Sequence, residues 1–275
     1  MTGFDRFAAL VATRIGVALD PRRAEQTVER LQPILVARAL PHLDALCAAI
    51  EKGDSALLSN VIDALVVRET LFFRDRAPFQ ALREIILPRL TKARESERRL
   101  RIWSAACATG QEPYSLAMML DEASSSLAGW RVELLATDVS ESALADARSG
   151  RYTHFEIQRG LPTPLLLRHF RRDGEMWTIS DYMRAAVDFR RLNLLSDFSA
   201  LERFDVIFCR NVLMYMEPAR RADVLKRLCA QLAPDGYLVL GAAETVVGLS
   251  EELEPAKGCP GFLERKARRP RLVAC

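Results

Sequence analysis

The segment that most constrains the fold joins an apolar stretch to a glycine-containing loop and a proline: Arg101-Ile-Trp-Ser-Ala-Ala-Cys-Ala-Thr-Gly-Gln-Glu-Pro-Tyr-Ser115. It predicts a buried strand, a tight loop closing at Gly110 and a helix with Pro113 in its first turn, where the missing proline N–H costs nothing. Such a strand, loop and helix place backbone N–H groups and a helix N-terminus beside a ligand. The segment therefore predicts an α/β fold with a ligand crevice at this loop.

The same loop argues against two common kinds of nucleotide site. It lacks the lysine of a G-x-x-x-x-G-K-[ST] loop, which contacts the β- and γ-phosphates of a nucleotide. It also lacks the three glycines of G-x-G-x-x-G, which let the backbone approach a pyrophosphate. A ligand without phosphate groups fits this sequence better.

Strand patterns alternate with helix patterns from residue 100 onward, which predicts a parallel sheet covered on both faces. Strands are predicted at Leu100–Ala105, Val132–Thr137, Val187–Leu192, Phe204–Phe208 and Tyr237–Leu240, and helices at Pro78–Arg94, Pro113–Ala123, Ser140–Ser149 and Pro218–Leu232. Around residues 155–179 two apolar runs flank the turn Arg171–Glu175. This pattern predicts a small antiparallel hairpin inserted into the α/β unit.

The N-terminal part of the chain shows helical periodicity and no strand pattern, which predicts three or four helices. Asp20 followed by proline predicts the start of the second helix, and Pro33 and Pro41 predict kinks or breaks in that helix. We therefore expect an N-terminal helical domain with its linker over residues 1–75 and an α/β domain over residues 76–275. A small β subdomain is expected within it at residues 153–185.

Composition indicates a globular, soluble protein. The chain has 275 residues, of which 49% are hydrophobic and 27% charged, and it contains no apolar run of the roughly 18 residues that a membrane-spanning helix needs. No secretory pattern is present at the N-terminus and the six cysteines form no C-x-x-C pair, so we expect a cytoplasmic location, reduced thiols and no metal site. The basic segment Arg265–Arg271 has no interleaved aromatic residues, so we do not expect nucleic-acid binding.

Polar residues follow the ends of two predicted strands. A carboxylate at the position of Asp138 is suited to the two hydroxyls of a ribose. The alternative, that Asp138 caps the next helix, is less favoured because Ser140 can be that cap itself. Asn193 and Leu194 follow the third strand, where an amide can pair with an adenine edge and an apolar side chain can cover the ring. An asparagine in this position can equally be a turn residue.

The strand Phe204–Phe208 leads to a second group of candidates. It delivers Arg210, Asn211 and Tyr215 to the carboxyl edge of the sheet, where ligands bind in folds of this class. We expect these three side chains to line the ligand crevice.

A third group lies in the linker segment Arg68–Asp75, where Thr70 and Arg74 flank two phenylalanines. The phenylalanines are expected to pack in the core. Arg74 is suited to bind a carboxylate, because a planar guanidinium can donate two parallel hydrogen bonds to it.

Five segments together resemble the chemotaxis receptor methyltransferases, in the same order and at similar spacing. They are Glu69–Arg74, Trp103–Ser115, Ala136–Asp138, Phe204–Tyr215 and Gly236–Glu244. The resemblance implies a Rossmann-like S-adenosylmethionine-dependent methyltransferase sheet, with S-adenosyl-L-homocysteine as the product of the cofactor. It further implies methyl transfer to glutamate side chains on the cytoplasmic helical bundle of a chemoreceptor, which forms γ-glutamyl methyl esters in sensory adaptation.

The resemblance also implies cofactor-binding roles, each for a named part of S-adenosylmethionine. The methionine end would be bound by Thr70, Arg74 and Glu112, and the ribose by Asp138. The adenine would be bound by Asn193 and Leu194, and the sulfonium region would be completed by Arg210 and Asn211. The first assignment is chemically consistent, because a zwitterionic amino acid needs a cation for its carboxylate and an anion for its ammonium group.

Two residues are the candidates for catalysis. Tyr215 would lie beside the methyl group that is transferred, and both Tyr215 and Arg74 can orient the incoming carboxylate. A glutamate, with an ordinary pKa of about 4.3, is already ionised near neutral pH, so no general base is needed. Positioning and removal of water then supply most of the rate enhancement.

The chain departs from the family pattern at three places. Arg68 stands where the family usually has asparagine. Residues 1–67 are near neutral, with seven basic and eight acidic residues, whereas members often carry a basic N-terminal helix. The hairpin turn is short, so we expect no tether to a receptor C-terminal pentapeptide. We also expect a monomer, because no heptad seam is present.

Two other classes of function stay open on the sequence. One is a methyltransferase with the same cofactor that acts on another protein, a small molecule or a nucleic acid, for which an N-P-P-Y-like or base-stacking element would be required, and none is visible. The other is an inactive module that binds S-adenosylmethionine and regulates a signalling complex. Retention of Thr70, Arg74, Asp138 and Tyr215 argues against this second class.

Overall fold

A computed structural model describes residues 3–266, so residues 267–271 of the basic segment lie outside the described residues. Within residues 3–266, a seven-stranded and a three-stranded sheet are combined with helices on either side and at the N-terminus. The predicted mixed α/β fold with a small antiparallel sheet is confirmed. The division of the chain at residue 75 into two domains stays a prediction.

The described chain begins with helices alone, and strands interspersed with helices follow. The helices are α1 (Gly3–Arg14), α2 (Ala24–Ala37), α3 (Leu43–Glu51), α4 (Ser55–Leu65), α5 (Ala77–Ala81), α6 (Leu87–Ala93), α7 (Gln111–Glu122), α8 (Glu141–Ser149), α9 (His154–Gln158), α10 (Thr163–His169), α11 (Asp181–Ala185) and α12 (Pro218–Ala230). The strands are β1 (Arg99–Ala105), β2 (Arg131–Asp138), β3 (Arg151–Thr153), β4 (Phe170–Asp173), β5 (Met176–Ile179), β6 (Asp188–Arg191), β7 (Phe204–Phe208), β8 (Leu232–Val239), β9 (Leu253–Pro255) and β10 (Phe262–Arg265).

Helices α1 to α4 pack on one another around their own apolar core, which includes Phe7, Leu31 and Leu46. Asp20 caps a 3-10 turn that leads into α2. Pro33 does not break α2, which continues through this proline to Ala37, whereas Pro41 lies in the break between α2 and α3. The packing of one helix face against its neighbours outweighs the one backbone hydrogen bond that proline removes.

The large sheet has the strand order β6-β2-β1-β7-β8-β10-β9, in which the five strands from β6 to β8 are parallel. Strands β9 and β10, which the sequence analysis did not identify, add an antiparallel edge. The chain leaves β1 for β2 on one side and later returns to β7 on the other. The carboxyl end of β1 is therefore a topological switch point, where ligands bind in open α/β sheets.

Side chains of β1 alternate between two cores, one on each face of the sheet. Leu100 and Ile102 pack in the core that contains residues of α7, whereas Trp103 and Ala105 pack in the core that contains residues of α12. Because both faces are covered, the central strands are apolar along almost their whole length.

The helix predicted before the sheet is interrupted by a wider turn. Helices α5 and α6 are joined by a π-helical turn over Leu82–Ile86, in which the Leu87 N–H donates to the Leu82 carbonyl. Pro88 accounts for the widening, because a proline ring clashes with the carbonyl four residues earlier and donates no hydrogen bond.

The small sheet has the order β3-β5-β4 and is antiparallel. Strands β4 and β5 form the predicted hairpin, and β3 is an additional strand. Phe72 of the linker packs edge-on against Tyr152 and Phe170 of this sheet, with ring centroids 5.0 and 5.7 Å away. The inserted sheet thus fixes the linker that carries Thr70 and Arg74.

Among residues 3–266, every helix is too short or too polar to span a bilayer. In the same part of the chain, no group of three or more His, Cys, Asp or Glu side chains is placed to hold a metal ion.

We expect Gly110→Ala to destabilise the protein more than Gly53→Ala. The two glycines have φ values of +95° and +99°, so alanine costs about 1–2 kcal/mol of backbone strain at both. An added Cβ at Gly110 would lie 2.9 Å from the Ala147 Cβ, whereas at Gly53 it would meet nothing within 4 Å. Urea unfolding should show an additional loss of about 1–3 kcal/mol for Gly110→Ala. Equal losses would mean that α8 moves aside without cost.

Candidate active site

All nine residues proposed from the sequence line one cavity at the carboxyl edge of the large sheet. The cavity comprises about 1020 Å³ of space and is open to solvent. The nine are Thr70, Arg74, Glu112, Asp138, Asn193, Leu194, Arg210, Asn211 and Tyr215. The structure therefore brings together side chains from segments that are up to 145 residues apart in the chain.

The loop between β1 and α7 forms one wall of the cavity in a strained conformation. Ala106 and Ala108 have φ values of +60° and +49°, and Gly110 follows with φ of +95°. A left-handed alanine costs about 1–2 kcal/mol, so the surrounding contacts must hold the loop in place. One such contact is the hydrogen bond from the Ala108 N–H to Asp138 Oδ2, at 2.8 Å.

Asp138 ends β2 with its carboxylate facing this loop. The residue is 8% exposed, and burial raises the pKa of its carboxyl group. Its Oδ1 accepts from the Ser140 N–H at 2.9 Å, while Ser140 itself caps α8 by accepting from the Ala143 N–H. Ser140 is thus the helix cap. A carboxylate has about four acceptor positions, so Asp138 keeps capacity for a ligand hydroxyl beside its backbone donors.

A buried guanidinium connects the segments around the opposite end of the cavity. The Arg210 side chain is 1% exposed, and it donates to Glu112 Oε2 at 3.1 Å and to Asp75 Oδ2 at 2.6 Å. It also donates to the Arg74 carbonyl at 3.0 Å. Glu112 accepts a further hydrogen bond from Ser104 Oγ at 2.8 Å. Burial raises the pKa of Glu112, and the positive charge of Arg210 opposes this shift.

The ion pair between Glu112 and Arg210 was not predicted from the sequence. The Arg74 guanidinium lines the cavity and, within residues 3–266, forms no salt bridge, so it is available for a ligand carboxylate. Arg210 was expected near the sulfonium. Its charge is compensated by two carboxylates, which makes a guanidinium compatible with a cationic ligand.

The linker before α5 is held against α7 in a second strained conformation. Phe73, Asp75 and Arg76 have φ values of +49°, +66° and +41°. The Phe73 N–H donates to Ser115 Oγ at 2.9 Å, a contact that the sequence analysis did not identify. Phe72 is fully buried, as expected for a core residue. Strained residues held by surrounding contacts are typical of preorganised sites.

Asn193 has a position in the cavity wall, but both ends of its amide already have partners. Its Nδ2 donates to the Arg14 carbonyl at 2.7 Å, and its Oδ1 accepts from the Leu195 N–H at 2.9 Å. The role as a turn residue is therefore present, together with a contact to the end of α1. The adjacent Leu194 is buried and lines the cavity. The adenine role of this pair stays a prediction.

The N-terminal helices contribute a wall that the sequence analysis missed. Ile15 and Val17 line the cavity, as do residues 65–67 at the C-terminal end of α4. Val17 forms a β-bridge with Met216, and the Ala18 N–H donates to the Tyr215 carbonyl at 2.8 Å. These contacts join residues about two hundred positions apart in the chain, so no local pattern could have indicated them.

Tyr215 lies in a 3-10 turn, Leu213–Tyr215, at the mouth of the cavity. Tyr215 is 38% exposed to solvent. The preceding Asn211 is left-handed, with φ of +58°. A partly exposed hydroxyl at the mouth can contact both a bound ligand and a molecule that approaches from solvent.

A family model described as "CheR methyltransferase, SAM binding domain" matches residues 68–261, which include the segments from Thr70 to Tyr215 that line the cavity. This chain belongs to the CheR methyltransferase family. The chain is 37% identical over 266 residues to "Chemotaxis protein methyltransferase 1" of Pseudomonas aeruginosa, covering 95% of this chain and 97% of that protein. It is 36% identical over 263 residues to "Chemotaxis protein methyltransferase 1" of Vibrio cholerae, covering 94% of each.

A third relative, "Chemotaxis protein methyltransferase Cher2" of Pseudomonas putida, is 34% identical over 265 residues, with 94% of this chain and 96% of that protein covered. The resemblance found in the sequence is confirmed. So are the assignment as a methyltransferase and S-adenosylmethionine as its cofactor.

The donor set in the cavity of this CheR-family enzyme fits S-adenosylmethionine. A cation, Arg74, and a buried carboxylate, Glu112, are suited to the two charges of the methionine end. Asp138 has acceptor capacity for a ribose hydroxyl, and Leu194 offers an apolar surface for a base. The individual contacts remain predictions.

We expect Asp138→Asn to weaken binding of S-adenosylhomocysteine by at least about tenfold, because a hydrogen bond to a charged group contributes about 1.5–3 kcal/mol. Asparagine keeps the size of the side chain but loses the charge and one acceptor oxygen. Asp188→Asn, an exposed residue on the neighbouring strand β6, is the matched control. Isothermal titration calorimetry measures both affinities. Equal affinity for wild type and Asp138→Asn would exclude Asp138 from ribose binding.

Proposed function

We propose that this CheR-family enzyme transfers the methyl group of S-adenosylmethionine to glutamate side chains on the cytoplasmic helical bundle of a chemoreceptor, as part of sensory adaptation. The observation that supports it most is the position of Tyr215, which is partly exposed at the mouth of the cavity that Arg74, Glu112 and Asp138 also line. The assignment to chemotaxis rests on the relatives, which are named chemotaxis protein methyltransferases.

We propose that the residues lining the cavity each bind a different part of S-adenosylmethionine. The methionine end is bound by Thr70, Arg74 and Glu112, and the ribose is bound by Asp138. The adenine is bound by Asn193 and Leu194, and the pocket near the sulfonium is completed by Arg210 and Asn211. When bound, the cofactor supplies a methyl group on a positively charged sulfur, which an ionised carboxylate attacks directly. Tyr215 and Arg74 orient that carboxylate at the mouth.

The protein needs no residue that accepts a proton in this reaction. The substrate glutamate is ionised near neutral pH, because its ordinary pKa is about 4.3. The apolar side chains of Ile15, Val17 and Val67 beside the cavity can exclude water from the carboxylate, and the strained loops hold the polar groups before the substrate arrives. Positioning of this kind can supply several kcal/mol of rate enhancement.

Incubation with radiolabelled S-adenosylmethionine and receptor cytoplasmic fragments tests this proposal. We expect label on the fragments that mild base releases as methanol, which marks a carboxyl methyl ester. Base-stable label would indicate another acceptor class, and no label despite cofactor binding would indicate an inactive signalling module.

Tyr215→Phe should slow turnover by about threefold to tenfold through loss of one hydroxyl hydrogen bond. Tyr182→Phe, an exposed tyrosine on α11, is its control.

We also propose that the enzyme acts as a monomer without a tether to the receptor C-terminus. The turn between β4 and β5 consists of Gly174 and Glu175 alone, which leaves a short hairpin to contact a peptide. Calorimetric titration with a receptor C-terminal pentapeptide should give no binding in the micromolar range. Micromolar affinity would contradict this part of the proposal without affecting the methylation assay.

A further inference from the structure

The turn that carries Tyr215 is bound at its N–H end by a single carboxylate from another part of the chain. Glu244 Oε2 accepts from the N–H groups of Asn211 and Gly241, both at 2.8 Å. Glu244 Oε1 accepts from the N–H groups of Val212 at 3.0 Å and Met214 at 3.2 Å. Four backbone donors thus converge on one half-buried side chain, an arrangement that favours an anion.

The fit around this carboxylate is tight. A Cβ added to Gly241 would lie 2.6 Å from Asn211 Nδ2 and 2.9 Å from Glu244 Oε2, so only glycine leaves room for the contact. Asn211 takes its left-handed conformation, with φ of +58°, at the start of the bound segment. A left-handed conformation persists only where surrounding contacts compensate for its energetic cost, and the hydrogen bonds to Glu244 provide that compensation.

The carbonyl end of the same turn is bound by a cation. Arg221 in α12 donates from Nε to the Leu213 carbonyl at 3.0 Å and from Nη2 to the Met216 carbonyl at 3.1 Å. An anion on the N–H side and a cation on the carbonyl side both complement the dipole of the turn. Tyr215 lies between the two bound ends, so its backbone has little freedom.

We propose that Glu244 and Arg221 are positioning residues for methyl transfer, which hold residues 211–216 so that Tyr215 stands at the cavity mouth before the substrate arrives. Neither residue belongs to the wall of the cofactor cavity. They act through the turn, which carries Asn211 alone among the cofactor contacts proposed above; the other contacts lie on other segments, so the turn contributes little to cofactor affinity. This inference rests on the proposed function, because it assigns the turn a role in the transfer step.

The expected signature is a loss of turnover with little change in cofactor affinity. Glu244→Gln keeps the size of the side chain but places an amide N–H group against backbone donors, and Arg221→Met keeps its length without donors. Both variants should lower kcat by about tenfold to a hundredfold, the effect of a small misplacement at a reacting centre. Affinity for S-adenosylhomocysteine should stay within about threefold, since a threefold change is less than about 1 kcal/mol.

Matched controls are Glu251→Gln and Arg220→Met, exposed residues of the same types whose side chains, within residues 3–266, form no hydrogen bond or ion pair with residues 211–216. Hydrogen–deuterium exchange adds a measurement that does not depend on the receptor. In Glu244→Gln, the amides of Asn211, Val212 and Met214 should exchange at least about tenfold faster, which corresponds to about 1.4 kcal/mol of lost protection. The control variants should exchange as wild type does.

Each result decides between distinct conclusions. Unchanged exchange in Glu244→Gln, or unchanged kcat despite faster exchange, would overturn the positioning role. A parallel loss of cofactor affinity and kcat would also overturn it, because it would indicate general damage to the cavity. If Glu244→Gln does not fold, Glu244→Asp, which keeps the charge at shorter reach, should show intermediate losses. A wild-type enzyme that esterifies no receptor fragment would remove the proposed function, and the exchange result would still decide whether Glu244 fixes the turn.

Discussion

The buried guanidinium of Arg210 is the interaction on which the active site depends. It joins the end of β7 to Glu112 on α7 and to Asp75 and the Arg74 carbonyl in the linker. Removing one partner of a buried ion pair costs about 3–5 kcal/mol, because the other charge stays buried without compensation. The same contacts therefore fix the position of Arg74 and oppose the rise that burial causes in the pKa of Glu112.

Backbone strain is concentrated around this network rather than spread over the molecule. Within residues 3–266, eight residues other than glycine have positive φ, and six of them lie in or beside segments that line the cavity: Phe73, Asp75, Arg76, Ala106, Ala108 and Asn211. Contacts from elsewhere in the fold hold several of them, such as Ser115 for Phe73 and Glu244 for Asn211. The stability of the two cores that cover the faces of the large sheet thus maintains a site that is already arranged for its ligand.

Local periodicity and strand order account for the part of the structure that can be predicted from the sequence. The position of Asp138 at the cavity was predictable because polar residues after parallel strands meet at one edge. The ion pair of Glu112 with Arg210 was not predicted, since the two residues are 98 positions apart and only tertiary packing brings them together. The contacts of Arg14 with Asn193 and of Glu244 with the Tyr215 turn join distant segments. Strands β9 and β10 were missed because each is too short to show alternation.

A crystal structure of the complex with S-adenosylhomocysteine tests the central claim most directly. We predict that the ligand lies in the crevice at the carboxyl ends of β1 and β2, with its ribose hydroxyls at Asp138 and its amino-acid group between Arg74 and Glu112. Arg210 should keep its contacts to Glu112 and Asp75, because these contacts form the site rather than respond to the ligand. A crevice that stays empty at saturating ligand, or a ligand bound on another surface, would contradict the account.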